Sequence, residues 1–192
     1  MSNNPYPTDT DAAAAKAKRR KSLWKEVREW AFSLFVALLA TLFITQVLLL
    51  NAKVPSGSMI PTIYPDDQVI GLRTAYWFSD PERYDVIIFH YPDNEEELFV
   101  KRVIGLPGDR VEIRDGKIYI NDSLAPLAEP YLREEPTGNF GPYLVPADSY
   151  FVMGDNRANS WDSRNWTNTF VHRDKILGQA MLRILPSLAL IE

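Results

Sequence analysis

Residues 30–50, WAFSLFVALLATLFITQVLLL, carry no charged side chain, and this run limits the chain's options more than any other stretch. At about 1.5 Å of rise per residue, a helix of this length reaches roughly 30 Å, the depth of a bilayer's hydrocarbon core. Ser33, Thr41, Thr45 and Gln46 are tolerable interruptions of such a span. Lys16, Lys18, Arg19, Arg20, Lys21, Lys25 and Arg28 precede it. Basic residues hold their flank in the cytoplasm, so the chain after the span is expected on the opposite side. A cleavable signal peptide ending near Asn51 and Ala52 is the competing reading. The run is longer than the roughly 7–15 apolar residues of such a peptide, and its basic leader is long. A buried helix of a soluble protein would show a polar face. The expected organisation is a cytoplasmic basic tail at 1–29, a transmembrane helix at 30–50 and an extracytoplasmic domain at 51–192.

Beyond the span, 46% apolar content over a 192-residue chain suits one folded domain. DQVIGLR, YDVIIFHY, LFVKRVIGL, DRVEIRDGKIYIND, SYFVMGD and KILGQAMLRIL read as strands, bounded by many of the 14 prolines and 9 glycines. Asp115-Gly116 between RVEI and KIYI predicts a hairpin, because Asp-Gly tolerates the positive φ of a tight turn. Weak periodicity and abundant proline within about 110–147 predict a small irregular excursion or hairpin insert. The fold class expected is mainly β, an antiparallel β-sheet domain behind an N-terminal transmembrane helix. AYWF at 75–78 and the C-terminal tail are further candidates for bilayer contact, or else cover the core. Broken by Pro186, that tail is too short for a second span.

Net charge of −4 and a pI near 5.3 argue against nucleic-acid binding, which needs a basic surface. The absence of cysteine excludes a disulfide, a thiolate nucleophile and a cysteine metal site. With only His90 and His172, a histidine zinc site is not expected, and no cofactor is indicated. A calcium loop at 155–164 fails its pattern, since Arg157 occupies the third position. The sequons at Asn121 and Asn165 matter only in a glycosylating host.

The stretch VPSGSMIPT at 54–62 sets two serines around a glycine. A serine hydroxyl is a weak nucleophile until a neighbouring base takes its proton. Lysine can serve if burial lowers its pKa enough for a neutral amine to exist. Lys101 lies among Leu98, Phe99, Val100, Val103 and Ile104, whereas most other lysines are in the tail or, like Lys117, in polar surroundings. A lysine in a strand is more often a solvated edge charge, so context has to decide.

PSGSMIPTIYPDD, RYDVIIFHYP, KRVIGLPGD and GDNRANSWDSR resemble, in content and order, the motif boxes of bacterial type I signal peptidases. The resemblance implies that Ser58 is the nucleophile and Lys101 the general base of a Ser-Lys dyad. It assigns the oxyanion hole to the Ser56 hydroxyl and the Ser58 backbone N–H, with Gly57 permitting the sharp turn between them. Ser160 would hydrogen-bond the lysine amine, while Asp162 and Arg164 would brace the site as an ion pair. Met59, Ile63, Val69, Ile88, Phe99 and Val100 would surround shallow apolar pockets, although ordinary core is equally open to such residues. Ala158 departs from the family, standing where an acidic residue is frequent.

The implied activity is removal of signal peptides from secretory preproteins after Ala-x-Ala sites, by a membrane-bound serine endopeptidase without cofactor or metal. An extended substrate would pair with strand edges. The lipid bilayer and the protein-export machinery would be its partners. The plasma membrane is the expected location, or the thylakoid in a photosynthetic host. A LexA-type self-cleaving protein shares the dyad but needs a DNA-binding domain and an internal Ala-Gly bond, neither of which occurs here. A non-catalytic, membrane-tethered β binding module is the remaining alternative.

Overall fold

The computed structural model describes residues 9–134, 136–185 and 188–191, with side chains from residue 24 onward except at 185. The first eight residues, Pro186 and the side chains of Lys16 to Lys21 lie outside the described residues. Helix α1, Asp9–Phe43, continues into a π-helical stretch, Ile44–Leu48. The portion Trp24–Leu48 is long and apolar enough to cross a membrane, and its side chains are almost all exposed. The apolar stripe runs all round this helix, which suits lipid rather than a protein core. Leu49 and Leu50, the last two residues of the expected span, begin strand β1, Leu49–Lys53, and Leu50 is buried in the core of the following unit. Apolar character marks both environments, so hydropathy alone cannot separate the end of a span from the first core strand.

The chain divides into two units, residues 1–47 and 48–192. In the second, β2 (Gln68–Leu72), β3 (Val86–Tyr91), β4 (Asn94–Gly105), β8 (Ser149–Met153), β9 (Val171–His172) and β10 (Ile176–Leu185) join β1 in one antiparallel sheet. Its order is β1-β2-β10-β3-β4-β8-β9, with β11 (Ala189–Leu190) also paired to β10. A separate three-stranded sheet has the order β6-β5-β7, from β5 (Arg110–Arg114), β6 (Lys117–Ile120) and β7 (Phe140–Leu144). The β5–β6 hairpin forms where Asp-Gly predicted it, with φ of 49° at Asp115 and 77° at Gly116. The excursion therefore contains regular structure: β7 pairs with β5 although FGPYL contains glycine and proline.

Among the described residues, three apolar clusters hold this unit together. One packs Leu50, Val54, Met59, Ile63, Val69, Ile88 and Val100 beneath the 54–67 loop. A second gathers Ile87, Phe89, Val103, Tyr150 and Trp166, and a third seals the small sheet against Ile104, Phe151 and Met153. Each fully buried large side chain contributes about 1.5–3 kcal/mol. AYWF is split between environments: Tyr76 is buried and donates to Asp85 at 2.8 Å, whereas Trp77 and Phe78 face outward.

Candidate active site

Strand β4 supplies the amine. Register with β3 pairs Lys101 with Ile87, and alternation points Lys101 to the same side as Phe99 and Val103. The loop between β1 and β2 supplies the hydroxyl. Its neck closes through Val54 N–H to Asp67 O at 3.1 Å and Asp66 N–H to Val54 O at 2.8 Å. Met59 and Ile63, both fully buried, plug it into the core, so the intervening backbone has little freedom. From the far end of the chain, Asn156 clamps it further: its N–H donates to Ser58 O and its Nδ2 to Gly57 O, both at 3.0 Å.

Lys101 Nζ thereby lies 2.6 Å from Ser58 Oγ, with the two residues 3% and 6% exposed. Ser56 Oγ sits 3.1 Å from the same hydroxyl. Burial is the main cause that lowers the Lys101 pKa, to about 8; Asp162 and Asp155 oppose it, and Arg164 assists. About a tenth of the amine is then neutral at pH 7, and in that form the contact reverses and Ser58 O–H donates to the amine.

Asp162 and Arg164 form a buried ion pair at 2.8 Å, and Asp162 Oδ2 also accepts from Gly154 N–H at 3.0 Å. Ser160 does not make the hydrogen bond expected of it: its buried Oγ has no hydrogen-bond partner among the described residues. Its neighbour is Gly154, where an added Cβ would lie 2.2 Å from Ser160 Oγ and 2.4 Å from Ser58 O. Glycine is required there by this close approach.

A cleft of about 390 Å³ opens beside the pair, lined by Ala52, Val54, Leu98, Phe99, Val100 and Trp161 together with Ser56, Ser58 and Lys101. Of the residues expected around the pockets, Phe99 and Val100 line this cleft. Met59, Ile63, Val69 and Ile88 do not line it: all four are fully buried in the cluster behind the loop, Met59 and Ile63 because the tightly closed loop turns them inward, Val69 and Ile88 because they occupy inward-facing positions of β2 and β3. Ala52, Val54, Leu98 and Trp161 instead supply the apolar wall; Val54 flanks the Ser58 box and Trp161 lies within the GDNRANSWDSR box, which was the signal available in sequence.

Sequence reasoning also missed the buried partner of Lys101's neighbour. Arg102 grips Asp155 with Nε at 2.8 Å and Nη2 at 2.7 Å, while Thr62 Oγ1 donates to the same carboxylate at 2.5 Å. Arg102 and Asp155 are 53 positions apart but belong to two of the motif boxes, which was the available signal.

The family model described as signal peptidase, peptidase S26, matches residues 27–185. A signal peptidase I of Leptolyngbya laminosa is 37% identical over 96% of this chain and 92% of that protein. A probable signal peptidase I-1 of Synechocystis is 36% identical, covering 97% of this chain and 90% of the relative. The crystal structure of a signal peptidase I from Enterococcus faecalis is 37% identical, with a TM-score of 0.46, over 53% of this chain and 97% of that one. The protein is thus a serine endopeptidase, a hydrolase built on antiparallel β-sheets behind an apolar N-terminal helix. It belongs to the signal peptidase family, peptidase S26, and is a membrane-anchored member of it.

Proposed function

We propose that this chain removes signal peptides from secretory preproteins by cutting after Ala-x-Ala-type sites, with Ser58 as nucleophile and Lys101 as general base. The buried 2.6 Å contact between the two side chains, at the edge of an apolar cleft, is the observation that carries the reading. Neutral Lys101 takes the hydroxyl proton as Ser58 Oγ attacks the scissile carbonyl, then returns it to the leaving amine. The oxyanion that forms is stabilised by the Ser56 hydroxyl and the Ser58 backbone N–H, donors of the kind worth about 3–4 kcal/mol each. Hydrolysis of the acyl-enzyme repeats the sequence with water.

Asp162 and Arg164 brace the site, and Ser160 supports the dyad by packing beside Gly154. The apolar wall around Phe99 and Val100 admits small side chains, and the Asn51–Val54 backbone offers an edge to an extended substrate. Residues 1–29 form the cytoplasmic tail, the apolar helix anchors the enzyme in the plasma or thylakoid membrane, and the β unit acts on the outer side. There the export machinery delivers precursors held by their own apolar segments, and tethering of both raises their effective concentration.

The test is cleavage of a precursor by the detergent-solubilised chain and by Lys101→Met across pH. Cutting after Ala-x-Ala by the wild type, with an acidic limb and an inert variant, is the expected result. A variant that still cuts would place the base elsewhere.

A further inference from the structure

The segment between β6 and β7 sends one carboxylate into the interior of the other sheet's loop system. Glu129 meets Arg157 in a bidentate ion pair, with Oε2 accepting from Nη1 at 3.1 Å and Oε1 from Nη2; the side chains are 8% and 3% exposed. Tyr131 reinforces it by donating from its hydroxyl to Glu129 Oε1 at 2.7 Å, and its ring lies 4.0 Å beneath the Arg102 guanidinium.

Arg157 is part of a closed circuit around the proposed nucleophile. Its Nε donates to Gly154 O at 3.0 Å, and its own carbonyl accepts from Arg164 Nη2 at 2.8 Å. Arg164 pairs with Asp162, and Asp162 accepts from Gly154 N–H. Gly154 in turn abuts Ser58 O. Among the described residues, Glu129 is the one carboxylate hydrogen-bonded to the Arg157 guanidinium, with Asp155 a lesser favourable charge nearby, so this buried charge is neutralised chiefly by a residue 28 positions away.

We propose that Glu129 is a positioning residue for the peptidase reaction: through Arg157 it holds the 154–164 loop, and with it Ser58, in register with Lys101. The small sheet is therefore a strap on the reacting groups. This inference rests on the function proposed above. Glu129 touches neither Ser58 nor Lys101, so its loss changes the rate of chemistry more than the capture of substrate.

The experiment measures kcat and KM for a purified precursor with the full chain in detergent, alongside thermal unfolding. Four proteins are compared: wild type, Glu129→Gln, Glu129→Asp, and the double variant Glu129→Leu with Arg157→Met. Displacing reacting groups by about 1 Å lowers rates by up to about a hundredfold, so Glu129→Gln should lose about 10- to 100-fold in kcat with KM within about threefold. Glu129→Asp, which keeps the charge, should recover much of that loss. Replacing both partners by apolar residues removes the unpaired charge, so the double variant should regain thermal stability while kcat stays low. A double variant at the wild-type rate, or Glu129→Gln with unchanged kcat, overturns the proposal. So does a loss in Glu129→Gln that matches only its unfolded fraction. A wild type that leaves the precursor intact overturns the peptidase reading and this one with it, a result distinct from the others.

Discussion

Lys101 Nζ donates to Ser58 Oγ at 2.6 Å across 43 positions of chain, and neither residue is more than 6% exposed. A lysine so placed is held against its own hydration. The fall of its pKa from 10.5 to about 8 corresponds to about 3 kcal/mol of unfavourable free energy for the charged form in the folded state.

The sign of that linkage is testable. The unfolded chain binds more protons than the folded one between pH 8 and 10.5, so the cost is fully present below about pH 8 and vanishes as pH rises through 10.5. Lys101→Met is accordingly expected to be inert yet more stable at pH 7, by up to about 3 kcal/mol, with the gain lost above about pH 10.5. Thermal unfolding of both proteins across that range checks it.

For catalysis, kcat/KM is expected to fall tenfold per pH unit below a limb near 8, as the amine becomes protonated. Asp162 favours the charged amine and Arg164 disfavours it. Asp162→Asn should therefore move the acidic limb to lower pH and leave residual activity. Stability should drop by about 3–5 kcal/mol, because a buried guanidinium loses its partner. A limb that moves upward would contradict the electrostatic assignment.

Ser58→Ala should abolish turnover, whereas Ser56→Ala should retain a measurable rate, reduced by about 10²–10³ in kcat through loss of one oxyanion donor. Single-turnover cleavage of a precursor separates the two. Equal and complete loss in both would mean that Ser56 does more than donate to the oxyanion.

Gly154→Ala introduces a methyl group 2.4 Å from the Ser58 carbonyl, a backbone atom already held by Asn156. The resulting shift should cost about 1–3 kcal/mol of stability and lower kcat, since it moves the proposed nucleophile itself. Unchanged kinetics would show that the loop relaxes away from the strand end without carrying Ser58.

Much of this was present in local sequence. A charge-free run long enough to cross a bilayer, an Asp-Gly turn and alternating strands each express a preference of neighbouring residues for one backbone conformation or one solvent. The Ser58 box and the apolar flanks of Lys101 were legible for the same reason, because the chemistry of each lies within a few positions. Tertiary structure alone decided which residues meet. Met59, Ile63, Val69 and Ile88 look like Phe99 and Val100 in sequence, but the closed 54–67 loop and the inner faces of β2 and β3 send the first four wholly into the core, whereas Phe99 and Val100 also border the cleft. Glu129, in a segment with weak periodicity, gave no sign that it would neutralise Arg157. Burial and side-chain pairing depend on how strands far apart in the chain are brought into register, and no short window of sequence contains that information.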